Sequence, residues 1–442
     1  MHTNDMTKGS SMKAIVQFAI PLLIGTLFQQ AYNIVDTMIA GYNLGDDAIA
    51  AIGATSALYS VLIYFANGMN NGFGVVMSQL FGAGDIPSLK KAVSATIILN
   101  TVTTAILTVT VLPFLQLLLG WMDTPQEIFA MAYQYIFVIL AGMTATIAYN
   151  MCAGFMRAVG NSKNPLYFLI VSCAINIILD ILFIMGLQLG IAGAALATVA
   201  AQIISAVFCA IYIVKKYRNY MPGRTDWRLP GALVTEMLAT GLSMGLMSSV
   251  LAIGSIILQK GINHLGKDII TAHTASRRIF EFLMMPLQAI ATACSTFVGQ
   301  NFGAKQFKRI RHAMGQVLWL ELVWSILSVA AAFSCGTLLI RMLTGTDNEE
   351  IILNAVYNLK ICTIFFFPLG ILFVLRNSMQ AMGYKIAPVL SSSIELAGKV
   401  LSCIFVIPVM EYTGVVLTEP VIWAVCAAFL SIVYIFRKAT QS

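Results

Sequence analysis

The chain has 442 residues, of which 59% are hydrophobic and only 10% are charged, with a mean hydropathy of +0.84. A soluble domain carries roughly 25% charged residues, so this composition excludes an ordinary water-soluble enzyme or binding domain. The formal net charge of +7 does not indicate a nucleic-acid partner, because the basic residues lie in short segments between apolar runs.

Twelve apolar stretches follow one another, each near the roughly 20 residues that a membrane-spanning helix needs. A basic loop from Lys215 to Leu229 separates the sixth stretch from the seventh. The predicted spans lie near residues 14–40, 53–77, 92–118, 128–152, 164–186, 190–214, 234–258, 277–300, 314–342, 353–377, 386–409 and 414–436.

The distribution of lysine and arginine predicts the orientation of these spans. With the N-terminus in the cytoplasm, nineteen basic residues fall in inner segments and only Lys260, Lys267 and Arg341 fall in outer loops. Positive charge accumulates on the cytoplasmic side of membrane proteins. We therefore predict a multi-pass protein of the inner-membrane type with both termini in the cytoplasm.

Short segments recur at a nearly constant offset of 221 to 223 residues. Chance similarities would not share one register. The repeat predicts an all-α membrane protein with two pseudo-symmetric six-helix bundles, related by an axis along the membrane normal: residues 1–214, a basic linker 215–233, and residues 234–442. The matched segments are LGDD at 44–47 with LGKD at 265–268, QLFGA at 79–83 with QNFGA at 300–304, and AVG at 158–160 with AMG at 381–383.

This architecture favours transport over enzymology. In transporters built from parallel repeats, the substrate path lies at the repeat interface. The sequence has no G-x-x-x-x-G-K-[ST] phosphate loop. We therefore predict a non-enzyme without a cofactor, driven by an ion gradient.

A carboxylate at membrane depth raises the free energy of membrane insertion, so each one indicates a structural or functional role. Asp36 and Asp180 lie about 6–9 Å inside the outer ends of spans one and five, at 1.5 Å per residue. Asn176 precedes Asp180 by one turn, and Tyr135 and Thr198 lie at a similar depth on spans four and six. These five residues are the predicted cation- or proton-binding site, although Asp36 alone could also be an interfacial residue.

Two chemistries suit this set. Two buried carboxylates can share a proton. Alternatively, Asp36, Asn176 and Asp180 supply the hard oxygen ligands that suit Na⁺. The sequence leaves the choice between Na⁺ and H⁺ open.

The second half does not repeat these acids, because Ile257 and Cys403 occupy the corresponding positions. It has its own buried acids, Glu281, Glu321 and Glu395. We predict that Glu395 pairs with Lys399, and Glu281 with Arg277 or Arg278, at helical spacing. A second ion site in this half stays open.

Other candidate residues concern gating and substrate contact. Pro21 removes a backbone hydrogen bond in span one and predicts a gating kink there, with a static packing kink as the alternative. The candidate substrate-cavity residues are Gln29, Asn33, Asn67, Met244, Met247 and Glu281.

Taken together, Pro21, Asp36, Asn176 with Asp180, the repeated Q-x-F-G-A segments and RAVGNS at 157–162 resemble the multidrug and toxic compound extrusion (MATE) family. The resemblance implies exchange of a drug-like, often cationic amphipathic compound against Na⁺ or H⁺ by a monomer in contact with lipid. It places Asp36, Asn176, Asp180 and Thr198 at the family's ion-site positions and favours the branch that includes the DNA-damage-inducible transporters. The alternatives are a flippase for a lipid-linked intermediate from the same superfamily and a non-transporting receptor or scaffold.

Overall fold

The computed structural model describes residues 5–439, and this part of the chain is helical without β-strands. Short 3₁₀ turns lie at 112–114, 218–220 and 224–227, and two π-helical turns at Ile181–Gly186 and Ser402–Val406. The α-helices are α1 (Ser11–Leu44), α2 (Asp46–Gly82), α3 (Ile86–Val111), α4 (Leu115–Trp121), α5 (Gln126–Ala141), α6 (Met143–Ala158), α7 (Lys163–Asp180), α8 (Gly190–Lys216), α9 (Gly231–Asn263), α10 (Lys267–Gly303), α11 (Phe307–Thr344), α12 (Glu349–Ile364), α13 (Phe366–Ala381), α14 (Ile386–Leu401) and α15 (Ile407–Ala439).

The described residues contain nine helical stretches that are long and apolar enough to cross a membrane. Two bent pairs, α5 with α6 at 45° and α12 with α13 at 51°, add one span each and bring the number to eleven. The stretch Ile386–Phe436 has 51 residues, which at 1.5 Å each would measure about 76 Å, more than twice the bilayer core. Its backbone leaves the helical conformation at Glu411, so it provides two crossings. The predicted all-α membrane fold with twelve spans is confirmed.

The described chain divides into two compact units. The first contains Ile24–Gly245, and the second contains Met6–Leu23 together with the chain from Leu246 onward. In the second unit, the Met6 backbone N–H donates to Gln300 at 3.0 Å, and the Arg309 guanidinium donates to the Lys8 and Gly9 carbonyls at 3.0 and 2.6 Å. These bonds hold the segment before α1 against the turn between α10 and α11. The predicted bundle boundaries at residues 214 and 234 stay a prediction.

The repeat is visible in the backbone. Gly45 and Gly266, 221 residues apart, both have positive φ and precede a long helix. The π turns after Asp180 and after Leu401 are also 221 residues apart. The two bent helix pairs begin at Gln126 and Glu349, which are 223 residues apart. The matched sequence segments therefore mark matched backbone features.

Glycines bring α2 close to the first half of α9 within the first unit. A Cβ built on Gly72 would lie 2.7 Å from the Thr240 carbonyl oxygen and 2.7 Å from the Gly241 Cα. One turn earlier, a Cβ on Gly68 would lie 2.6 Å from the Met244 carbonyl oxygen. Small residues permit such backbone approach between membrane helices.

We expect Gly72→Ala to destabilise the protein by about 1–3 kcal/mol, because the added methyl group meets backbone atoms that cannot turn aside. The measurement is unfolding of the purified protein in detergent. Gly53→Ala on the same helix is the matched control, since nothing lies within 4 Å of its Cβ position. Equal stability of the two variants would contradict the close packing of α2 and α9.

Candidate ion-binding site

Four helices of the first unit carry the residues of this site. Asp36 lies on α1, Tyr135 on α5, Asn176 and Asp180 on α7, and Thr198 on α8. α7 ends at Asp180, where the chain passes into the π turn Ile181–Gly186. Such turns occur frequently at functional sites, because one extra residue changes the direction of the side chains.

The Asn176 side chain joins three of these helices. In the amide orientation that satisfies both of its ends, its nitrogen donates to Asp180 Oδ2 at 3.2 Å. Its oxygen accepts from the Thr198 backbone N–H at 3.1 Å, and the Tyr32 hydroxyl of α1 contacts the same amide. Asn176 is only 2% exposed, so these contacts orient it within the protein interior.

The two carboxyl groups meet beside this amide. Asp180 is fully buried, and its Oδ1 has no hydrogen-bond partner among the described residues. The half-buried Asp36 is near enough to interact with Asp180, and Tyr135 is near enough to interact electrostatically with both acids. Two carboxylates this close repel each other unless a proton or a cation lies between them. The arrangement therefore suits the capture of one monovalent cation or proton.

One further polar residue contacts this site, a second lies one helical turn from it along α8, and neither was predicted. Tyr32 precedes Asp36 by one helical turn and contacts Asn176. Gln202 follows Thr198 by one turn on α8, and its buried carbonyl oxygen has no partner among the described residues. The i,i+4 spacing from a predicted residue is the sequence signal that marks both.

The remaining candidates are dispersed. α1 continues as a helix on both sides of Pro21, and the gating role of that residue stays a prediction. Gln29 and Asn33 are exposed on α1, whereas Asn67 accepts a hydrogen bond from Asn150 at 2.8 Å. Met244 is buried in the first unit.

In the second unit, Met247 is buried and its sulfur accepts a hydrogen bond from Gln380 at 3.5 Å. Glu281 forms the predicted ion pair with Arg277 at 3.4 Å, and Glu395 forms the predicted pair with Lys399 at 3.4 Å. Both pairings are confirmed. Glu419 joins the two pairs into one network through Arg277 and Lys399.

The family follows from a comparison with known sequence families. The sequence model of the MatE family matches residues 21–182 and 239–404, which together make up most of the chain. The chain belongs to the MatE family. The two matched segments each cover most of one sequence repeat, and the resemblance to multidrug and toxic compound extrusion proteins is confirmed.

Individual relatives agree with this assignment. The "Probable multidrug resistance protein YpnP" of Bacillus subtilis is 27% identical over 87% of this chain and 85% of its own length. YoeA of the same organism, also a probable multidrug resistance protein, is 26% identical over 96% and 93%. The multidrug export protein MepA of Staphylococcus aureus is 25% identical over 97% and 95%.

Solved structures show the same fold. A crystal structure of a MATE protein in the bent conformation matches with a TM-score of 0.91 at 20% identity, over the whole of both chains. The outward-facing conformation of a multidrug resistance MATE family transporter matches with a TM-score of 0.90 at 20% identity, over 100% of this chain and 98% of that one.

Proposed function

We propose that this MatE protein is a secondary active antiporter that exports drug-like, cationic amphipathic compounds in exchange for Na⁺ or H⁺. The observation that carries the proposal is the meeting of Asp36 and Asp180, with Asn176 bridging to Thr198 and one buried carboxylate oxygen without a partner among the described residues. The names of the relatives, which are those of multidrug resistance and export proteins, support drug export.

Each residue has a role in this proposal. Asp36 and Asp180 take up the coupling ion, and Asn176 holds Asp180 in position. The Tyr135 and Tyr32 side chains and the Thr198 backbone complete the polar surroundings. If the ion is Na⁺, the carboxylate and amide oxygens are its ligands, because hard cations prefer oxygen donors. If it is H⁺, the two acids share it.

The proposal is tested by ethidium efflux from proteoliposomes under an imposed Na⁺ gradient and, separately, under an imposed pH gradient. We expect one of the two gradients to drive efflux and the other to have little effect. An efflux rate that neither the Na⁺ gradient nor the pH gradient changes would contradict antiport. Movement of a lipid-linked sugar instead of ethidium in the same vesicles would favour a flippase.

The cellular setting is proposed on the same basis. We propose a bacterial inner-membrane location with both termini in the cytoplasm, as a monomer in contact with lipid, that catalyses no covalent reaction. The branch with the DNA-damage-inducible transporters stays a prediction.

A further inference from the structure

One carboxyl group of the second unit is buried without a hydrogen-bond partner among the described residues. Glu321, in the middle of α11, is fully buried, and neither of its carboxyl oxygens has a hydrogen-bond partner among the described residues. Burying an unpaired anion costs far more than burying a neutral acid, so a carboxyl in this position favours its protonated form.

The other carboxylates within the spans of this unit are either paired with a basic side chain or exposed. Glu281, Glu395 and Glu419 each form an ion pair with a lysine or arginine, and Glu411 is exposed at the break in α15. Arg376 of the neighbouring α13 is directed to Glu395 at 3.2 Å and not to Glu321. Glu321 therefore lies outside the charge network of its own unit.

Glu321 packs closely against a glycine of the neighbouring helix. Gly370 of α13 faces it, and a Cβ at that position would lie 2.9 Å from Oε2 and 3.1 Å from the Cβ of Glu321. On α10, the buried Cys294 lies near Glu321 and forms a hydrogen bond with Ser378, with 3.6 Å between the sulfur and the hydroxyl oxygen. On α15, Tyr434 is directed to Met314, two turns away along α11. These titratable groups bring no positive charge to the carboxyl.

We propose that Glu321 is a proton-binding site of the second unit, which holds a proton in this buried state and exchanges it during transport. The glycine contact at Gly370 is the point at which a small separation of α11 and α13 would admit water to the acid. The exchange step rests on the proposed antiport function, whereas the binding of the proton does not.

Infrared spectroscopy of the reconstituted protein tests proton binding, because protonated carboxylic acids have a C=O stretch that carboxylates lack. The background is the Asp36→Asn/Asp180→Asn double variant, in which the first-unit acids are removed. We expect a protonated carboxyl band at neutral pH that Glu321→Gln abolishes and the exposed Glu350→Gln leaves unchanged. A background protein without the band would overturn the proposal, and that comparison needs no substitution at residue 321.

Transport then tests exchange. In proteoliposomes with intact Asp36 and Asp180, we expect Glu321→Gln to lose efflux driven by a pH gradient, while Glu350→Gln keeps it. Unchanged pH-driven efflux in Glu321→Gln would show that the proton is permanently bound and would overturn exchange, as would a wild type that is driven by Na⁺ and not by a pH gradient. Absence of efflux from the wild type under either gradient would instead overturn the proposed function, and the infrared band would still decide whether Glu321 binds a proton.

Discussion

Asp180→Asn is expected to abolish drug efflux while leaving the protein folded and inserted in the membrane. Asparagine has the shape of aspartate and can still accept the hydrogen bond that Asn176 donates at 3.2 Å. It cannot take up a proton or provide a negative charge for Na⁺, so the driving ion loses its partner at a fully buried position. Asp36→Asn is expected to have the same effect, because in the proposed mechanism both acids take up the same ion.

Ethidium efflux from cells that express equal amounts of each variant provides the measurement. Asp46→Asn is the matched control, because Asp46 is an exposed carboxylate at the start of α2 in the same unit. We expect its efflux to equal that of the wild type. Normal efflux in both Asp36→Asn and Asp180→Asn would refute the assignment of the site.

Glu395→Gln is expected to cause the largest loss of stability. Six side chains of the second unit alternate in charge, and Glu395 lies between Arg376 at 3.2 Å and Lys399 at 3.4 Å. Glutamine can still accept a hydrogen bond, but its neutral amide leaves the positive charge of the buried Arg376 without an ion-pair partner among the described residues. Breaking a buried pair in this way costs about 3–5 kcal/mol. The chain of charges is Arg376, Glu395, Lys399, Glu419, Arg277 and Glu281.

Unfolding in detergent measures this loss, and Arg376→Met combined with Glu395→Gln is the informative comparison. The double variant removes one positive and one negative charge from the end of the network, so it is expected to recover most of the stability. Glu350→Gln, an exposed change at the start of α12, is expected to cost at most about 1 kcal/mol. A double variant as unstable as Glu395→Gln would contradict the charge-pairing explanation.

Much of the fold and part of the site follow from sequence because membrane insertion imposes simple rules. Apolar length predicts spans, and a constant offset predicts the repeat. Asp36 and Asp180 could be singled out because a carboxylate in an apolar run is costly. Helical spacing alone predicts the local Glu281–Arg277 and Glu395–Lys399 pairs.

The rest depends on contacts between distant residues, which spacing along one helix does not reveal. Glu419, on α15, joins the two predicted ion pairs through Arg277 at 2.6 Å and Lys399 at 2.9 Å, although it lies far from Arg277 in sequence. Similarly, Glu321 has no ion-pair partner among the described residues, because Arg376 on the neighbouring helix is directed to Glu395. The π turn after Asp180 also escaped prediction, because its sequence, ILFIMG, reads as a continued apolar helix.

We propose that substrate and ion move in opposite directions and that Asp36 and Asp180 take up the ion, and an obligatory exchange of two solutes can be driven by the gradient of either one. An imposed ethidium gradient should therefore drive the coupling ion the other way. The measurement follows radioactive Na⁺ and internal pH in proteoliposomes given such a gradient. We predict counter-movement of one of these ions with the wild type and none with Asp180→Asn. Ethidium movement without ion movement in the wild type, or equal ion movement in Asp180→Asn, would contradict the claim.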